Sequence, residues 1–145
     1  MICHNDLFPE NVVFRDGLPV AFIDFDMAGP GRPFWDVAIA ASEWAPLKAP
    51  AARLAHPPEL DGVARLALLA GGYGVAPEQA EDLVAAIGEE FEHADANVRS
   101  EVAAGYPMWV EHWRETDGEF RSQADRAWLA AHREALVASI RRCVW

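Results

Sequence analysis

Basic residues are scarce in this 145-residue sequence: eleven arginines and a single lysine, Lys48, stand against 23 acids, for a net charge of −11. That balance excludes a nucleic-acid backbone as the partner, because such binding depends on Lys and Arg displacing counterions. Cysteine is almost absent as well. Cys3 and Cys143 lie near opposite ends with no metal-type spacing, which excludes a zinc knuckle and a disulfide framework and suits a reducing, cytoplasmic setting. No apolar run approaches the ~20 residues that a bilayer requires, and no basic region followed by an apolar stretch opens the chain, so neither a membrane partner nor export is expected. What is present, 52% hydrophobic and 24% charged residues without low-complexity tracts, is the composition of a folded chain. Its length suits one domain over residues 1–145, burying roughly 68–70% of its unfolded surface.

Two short apolar, β-prone runs, Val12–Phe14 and Val20–Ile23, are joined through an Asp16-Gly17 turn signal, which predicts a hairpin. A Gly- and Pro-rich loop over 28–33 follows, and then an apolar segment, Phe34–Trp44, with the length of a mostly buried helix. From residue 58 to 142 the pattern is helical. One helix is expected over Glu59–Ala70, ending at Gly71-Gly72; a second from Pro77 to about Ala104, with an interruption near Gly88; a short one over Tyr106–Glu115; and a last from about Ser122 to Arg142. The fold class is therefore mainly α: a small β-hairpin followed by a helical body.

The chemistry-bearing residues cluster early. His4, Asp6, Leu7 and Asn11 repeat the spacing of a kinase catalytic loop, H-R-D-L-x-x-x-N, with Asn5 at the arginine position. Thirteen residues after Asn11 comes Asp24 within Ile23-Asp24-Phe25-Asp26, where kinases carry D-F-G. Phosphoryl transfer needs a carboxylate to orient the attacking hydroxyl and accept its proton, and hard oxygen ligands to hold magnesium against phosphates. Asp6 suits the first role, and Asn11 with Asp24 the second. A hairpin between Asn11 and Asp24 is a means of bringing those two ligands together.

The stretch "CHNDLFPENVVFRDGLPVAFIDFDMAGPGRPFWDVA", residues 3–37, resembles the catalytic core of the aminoglycoside phosphotransferase family. That family's pattern is H-G-D-x-x-x-x-N, an apolar strand, I-D-[FW]-[DE], a Gly-Pro loop and a W/Y-D-[LV]-A helix start. The resemblance implies a kinase-like C-terminal lobe, α+β by origin, with ATP as co-substrate and Mg2+ as cofactor. It makes Asp6 the catalytic base and Asn11 and Asp24 the metal ligands. Asp26 stands as a second acid or further metal ligand, and His4 and Asp36 as structural supports of the loop. It also implies that the ATP-binding N-terminal lobe, with its phosphate-facing lysine, is absent from these residues, since Lys48 falls on the wrong side of the motif. Little or no kinase activity is then expected of the isolated chain.

Blander readings stand beside these. Asp and Asn are common turn and cap residues, Asp36 suits a helix cap as well as a loop brace, and Cys3 suits a packing role. Seven acids between Arg65 and Arg99, with no intervening base, fit a solvated helix face better than a pocket for a cationic substrate. Trp109, Trp113 and Trp128 fit a core better than a stacking platform. The expected partner is a small molecule bearing a hydroxyl, with a cationic substrate as one form of it. Two rival functions are a non-catalytic interaction module, self-associating through the surface the missing lobe would cover, and a metal-dependent phosphohydrolase built on Asp6, Asp24 and Asp26.

Overall fold

Each helix of the body starts and stops for a local reason, and those reasons shift several sequence-derived boundaries. The computed structural model describes residues 1–52 and 59–143, so the boundary expected at Pro58 lies outside the described residues. Helix α1 spans Trp35–Trp44, and α2 spans Gly62–Tyr73 behind the Asp61 carboxylate, which accepts from the Val63 and Ala64 amides at 3.0 and 3.1 Å. The α2 helix runs through Gly71-Gly72 and stops at Gly74, whose φ of 83° is the left-handed conformation that ends helices. After a 3-10 turn at Pro77–Gln79, α3 continues unbroken from Ala80 to Ala103. Gly88 does not interrupt it, because tertiary packing beside Leu129 offsets the weak helix propensity of one glycine. Helix α4 covers Pro107–Glu115. Helix α5 covers Gly118–Arg142, four residues earlier than Ser122, because the Asp117 side chain caps the Phe120 amide.

Among the described residues, four strands accompany the helices. Strands β2 (Val12–Arg15) and β3 (Leu18–Phe22) form the antiparallel hairpin, turned by Asp16 and Gly17 at φ 53° and 79°, the left-handed pair that matches strand twist. A second small ladder pairs β1 (Ile2–Cys3) with β4 (Gly29–Pro30). Sequence pattern alone does not reveal it, since two-residue strands have no periodicity. Gly31 has a packing reason: a Cβ there would collide with the Cys3 sulfur.

The apolar core lies between α1, α2, α3 and α5, with Ala38, Leu47, Leu66, Leu83, Ile87 and Leu136 fully buried within it. Trp109 and Trp113 do not join this core; Trp128 packs against its edge. The acid-rich outer face of α3 is answered by arginines of α5. Arg126 donates to Glu92 at 2.7 and 2.9 Å and to Asp95 at 2.6 Å, and Arg133 donates to Glu81 at 2.8 Å. The hairpin contrasts with the body: Phe14, Leu18, Val20, Phe22, Ile23 and Phe25 are all exposed.

Leu136 is completely buried on α5, which packs on both α2 and α3. Its truncation leaves a cavity that three helices have to collapse into. Leu136→Ala is expected to cost about 2–5 kcal/mol, read as a fall in the urea midpoint at unchanged slope.

Candidate active site

Backbone geometry explains how residues 4–11 acquire their shape. Asn5 has φ 66°, a conformation asparagine tolerates better than most residues, and its side-chain nitrogen donates to the Met27 carbonyl at 2.9 Å. The family pattern has glycine at this position, and the positive φ is the physical reason both residue types serve there. The turn so made directs two successive amides, of His4 and Asn5, onto the two oxygens of Asp36 at 2.8 and 2.9 Å. Asp36 therefore clamps the loop to the first turn of α1 and does not cap that helix, whose preceding residue is Phe34 in left-handed geometry.

His4 is buried and rests against Phe25, with ring centroids 4.5 Å apart. Its Nε2 faces the Ile23 carbonyl at 3.0 Å; a carbonyl only accepts, so Nε2 carries the proton. The Ile23 amide in turn donates to the Asn11 carbonyl at 3.0 Å. Both backbone groups of the residue before Asp24 are thus tied to the loop. Asp24 itself is exposed and adopts φ 62°, the left-handed conformation.

Asn11 is buried and donates from Nδ2 to the Asp6 carbonyl at 2.9 Å and to Asp6 Oδ2 at 2.6 Å. With its nitrogen committed, the amide has its oxygen left for a cation, and Asp6 keeps its second carboxylate oxygen for a hydroxyl proton. Asp6, Asn11 and Asp24 are therefore joined through one hydrogen-bonded unit that includes His4 and Ile23. Asp26 is exposed, and among the described residues no group of three or more His, Cys, Asp or Glu side chains is placed to hold a metal. One carboxylate and one amide oxygen still fit magnesium, which binds through few protein ligands and completes its shell with waters and phosphates.

A cavity of about 230 Å³ lies between α1, α3, α4 and α5, lined among others by Ser42, Glu43, Glu90, Trp109 and Trp113. Helix α1 connects it to the loop of residues 4–11: the Trp44 indole donates to the Leu7 carbonyl at 3.3 Å. Glu90 is half-buried on the cavity wall. Burial, and then the neighbouring Glu43 carboxylate, push its carboxyl up to about 7, against the opposing pull of Lys48 and the Ser42 hydroxyl. Sequence reasoning grouped Glu90 with the solvated acids. A usable signal existed, since Glu90 falls on the inward phase of Leu83 and Ile87 at helical spacing. Asp95 behaves oppositely. Its burial opposes ionisation, but hydrogen bonds from Arg99, Ser122 and Arg126 outweigh this and hold it below its ordinary value.

Comparison with known proteins adds three findings. Residues 1–69 match the model of a family described as "Phosphotransferase enzyme family". A trifolitoxin immunity protein of Rhizobium leguminosarum bv. trifolii is 31% identical over 150 residues, covering 97% of this chain and 54% of that protein. A homoserine kinase of Neisseria meningitidis serogroup B is 38% identical over 81 residues, covering 56% of this chain and 24% of that protein. The chain thus spans about half the length of the first relative and a quarter of the second. No solved structure matches it.

Two outcomes follow from this geometry. Asp36→Ala removes the acceptor of two loop amides, so hydrogen exchange at His4 and Asn5 is expected to accelerate by about 10- to 100-fold, the equivalent of roughly 1.5–3 kcal/mol for bonds to a charged group. Unchanged exchange would show that the clamp does not hold the loop. Glu90 binds its proton more tightly folded than unfolded, so it lowers stability progressively as pH rises from its ordinary 4.5 through about 7. Glu90→Gln is therefore expected to raise the melting temperature at pH 8 and to leave it unchanged near pH 4.

Proposed function

We propose that the chain, whose residues 1–69 match the model of the phosphotransferase enzyme family, contributes the catalytic segment of an ATP-dependent kinase acting on a hydroxyl of a small molecule. The observation that carries this reading is the bond of Asn11 to Asp6, in a loop whose amides Asp36 holds and whose far end is tied to the residue before Asp24.

In this reading Asp6 orients the acceptor hydroxyl and takes its proton as the oxygen bonds to the γ-phosphorus and the bond to the departing ADP oxygen breaks. Asn11 and Asp24 hold magnesium, which supplies charge neutralisation at the phosphates. His4 and Asp36 act through the loop and not on substrate. Asp26 serves as a further acid at the rim. The same reading makes residues 1–145 one unit, the C-terminal lobe of a kinase-like fold, with the nucleotide covered by a second lobe.

The exposed apolar hairpin supports that assignment, because water-facing clusters of large apolar side chains mark interaction surfaces. It also favours a second reading, in which the chain works as a non-catalytic module that self-associates through this face. The phosphohydrolase alternative lacks such support: Asp6, Asp24 and Asp26 do not gather into a three-carboxylate group among the described residues.

The test is phosphoryl transfer from MgATP, followed by 31P NMR, to a panel of small alcohols that includes homoserine and an aminoglycoside. Asp6→Asn is expected to lower the rate by about 10²–10⁴-fold, and Asp24→Asn to raise the magnesium concentration required. Transfer that survives Asp6→Asn would sink the assignment. A protein that phosphorylates nothing and sediments as a dimer until the hairpin is made polar would favour the second reading.

A further inference from the structure

A shallow cavity of about 390 Å³ lies beside the loop of residues 4–11, lined by Asn5, Pro30, Gly31, Arg32 and Trp35. The segment that supplies Arg32 is pinned against the first residues of the chain by its own backbone. The Gly31 amide donates to the Met1 carbonyl at 3.0 Å and its Cα packs on the Cys3 side chain, while the Arg32 carbonyl accepts from Cys3 Sγ at 3.7 Å and from the Trp35 amide at 3.3 Å. The guanidinium is oriented as well. It lies over the Trp35 ring, 4.8 Å from the centroid, and its Nη1 pairs with Glu89 of α3. Trp35 is itself braced edge-on by His93, with ring centroids 5.8 Å apart. Nε and Nη2 of Arg32 have no partner among the described residues, so one edge of the fork is left for a ligand.

Charge narrows what that ligand is. Residues 3–37 contain six acids, Asp6, Glu10, Asp16, Asp24, Asp26 and Asp36, against two cations, Arg15 and Arg32. Arg15 ends β2 at the hairpin turn, and Arg32 is the one charged side chain lining the cavity among the described residues. Two parallel N–H groups on a guanidinium edge match the two oxygens of a carboxylate. A phosphate fits the same edge but brings more negative charge into an acid-rich corner where Glu89 already holds Nη1. Asn5 immediately precedes Asp6, about 3.8 Å away at Cα, so the cavity adjoins the Asp6 residue.

Resting on the phosphotransferase reading, we propose that this cavity takes the carboxylate of a hydroxy-acid acceptor, bound side-on by Nε and Nη2 of Arg32 while the hydroxyl lies at Asp6. Arg32 is the specificity-determining residue. Glu89 is a positioning residue that acts in two senses: it aims the guanidinium, and its negative charge opposes the incoming anion. Removing that charge while keeping the shape therefore tightens binding, whereas removing the guanidinium weakens it. Opposite signs from the two halves of one ion pair are a signature that a merely structural pair does not give. The two side chains are 46% and 58% exposed, and an exposed pair contributes little to stability, so both variants keep the fold.

The probes are 3-hydroxybutyrate, its neutral counterpart butane-1,3-diol and inorganic phosphate, added to the 145-residue chain without nucleotide while the Trp35 indole N–H signal is followed by NMR. 3-Hydroxybutyrate is expected to move that signal and to bind more tightly than either of the others. Arg32→Gln weakens it about tenfold, to the level of the diol, as loss of hydrogen bonds to a charged group implies. Arg32→Lys keeps the charge but not the fork and restores part of the affinity. Glu89→Gln tightens it by about two- to fivefold, the range for one exposed charge pair. Equal binding of acid and diol, binding of neither, phosphate binding as tightly as the acid, an affinity that survives Arg32→Gln, or a failure of Glu89→Gln to tighten it overturns the proposal. The two levels separate because binding is read apart from transfer. The expected pattern in a protein that phosphorylates no hydroxyl overturns the phosphotransferase reading and leaves a carboxylate site. Transfer from MgATP to acid and diol with the same KM overturns the subsite and leaves the kinase.

Discussion

The Asp36 carboxylate, with one oxygen on each of two consecutive loop amides, is the constraint on which the rest of the site depends. It couples the most buried helix of the body, α1, to a loop that otherwise has little packing of its own. Given that clamp, Asn5 is held in its left-handed turn and His4 is fixed over Phe25. The His4 ring then anchors the carbonyl that precedes Asp24. Bonds to a charged acceptor are the stronger kind, which suits one side chain restraining a whole turn.

A second order of organisation comes from α1 facing two ways. Its first turn holds the loop of residues 4–11 through Asp36, while its last turn lends Ser42 and Glu43 to the cavity between α1, α3, α4 and α5 and donates from Trp44 to the loop at Leu7. The loop and the cavity thus share one rigid element. Precision of this kind is easier to keep on a packed helix than across two loops.

Much of the site was legible because it is local. The spacing of His4, Asp6 and Asn11 fits within one loop, and the hairpin that follows is announced by its Asp-Gly turn, so order along the chain nearly specifies neighbourhood. The hairpin's boundaries agree with the pattern to within a residue or two. Less local features were not legible. The β1–β4 ladder joins segments about thirty residues apart through strands too short to have a period. Helix α2 passes through Gly71-Gly72 because its end is decided by Gly74 and by packing on α5, not by the first glycine encountered. Asp36 read equally well as a cap or a brace until the partner amides were known.

By itself, then, the sequence determined the mainly helical class with its hairpin and the resemblance to the phosphotransferase enzyme family, whose model residues 1–69 match. Each of these follows from residue types at short, fixed separations. Tertiary structure alone decided the fate of the acidic run on α3. Glu81, Glu92 and Asp95 meet arginines some thirty to fifty residues away on α5, whereas Glu90 turns inward beside another carboxylate. It also turned Trp109 and Trp113 from expected core residues into cavity walls. The physical reason is the same in both cases: the charge state of a carboxyl and the exposure of an indole depend on what lies across the space between helices, and sequence separation carries no record of that distance.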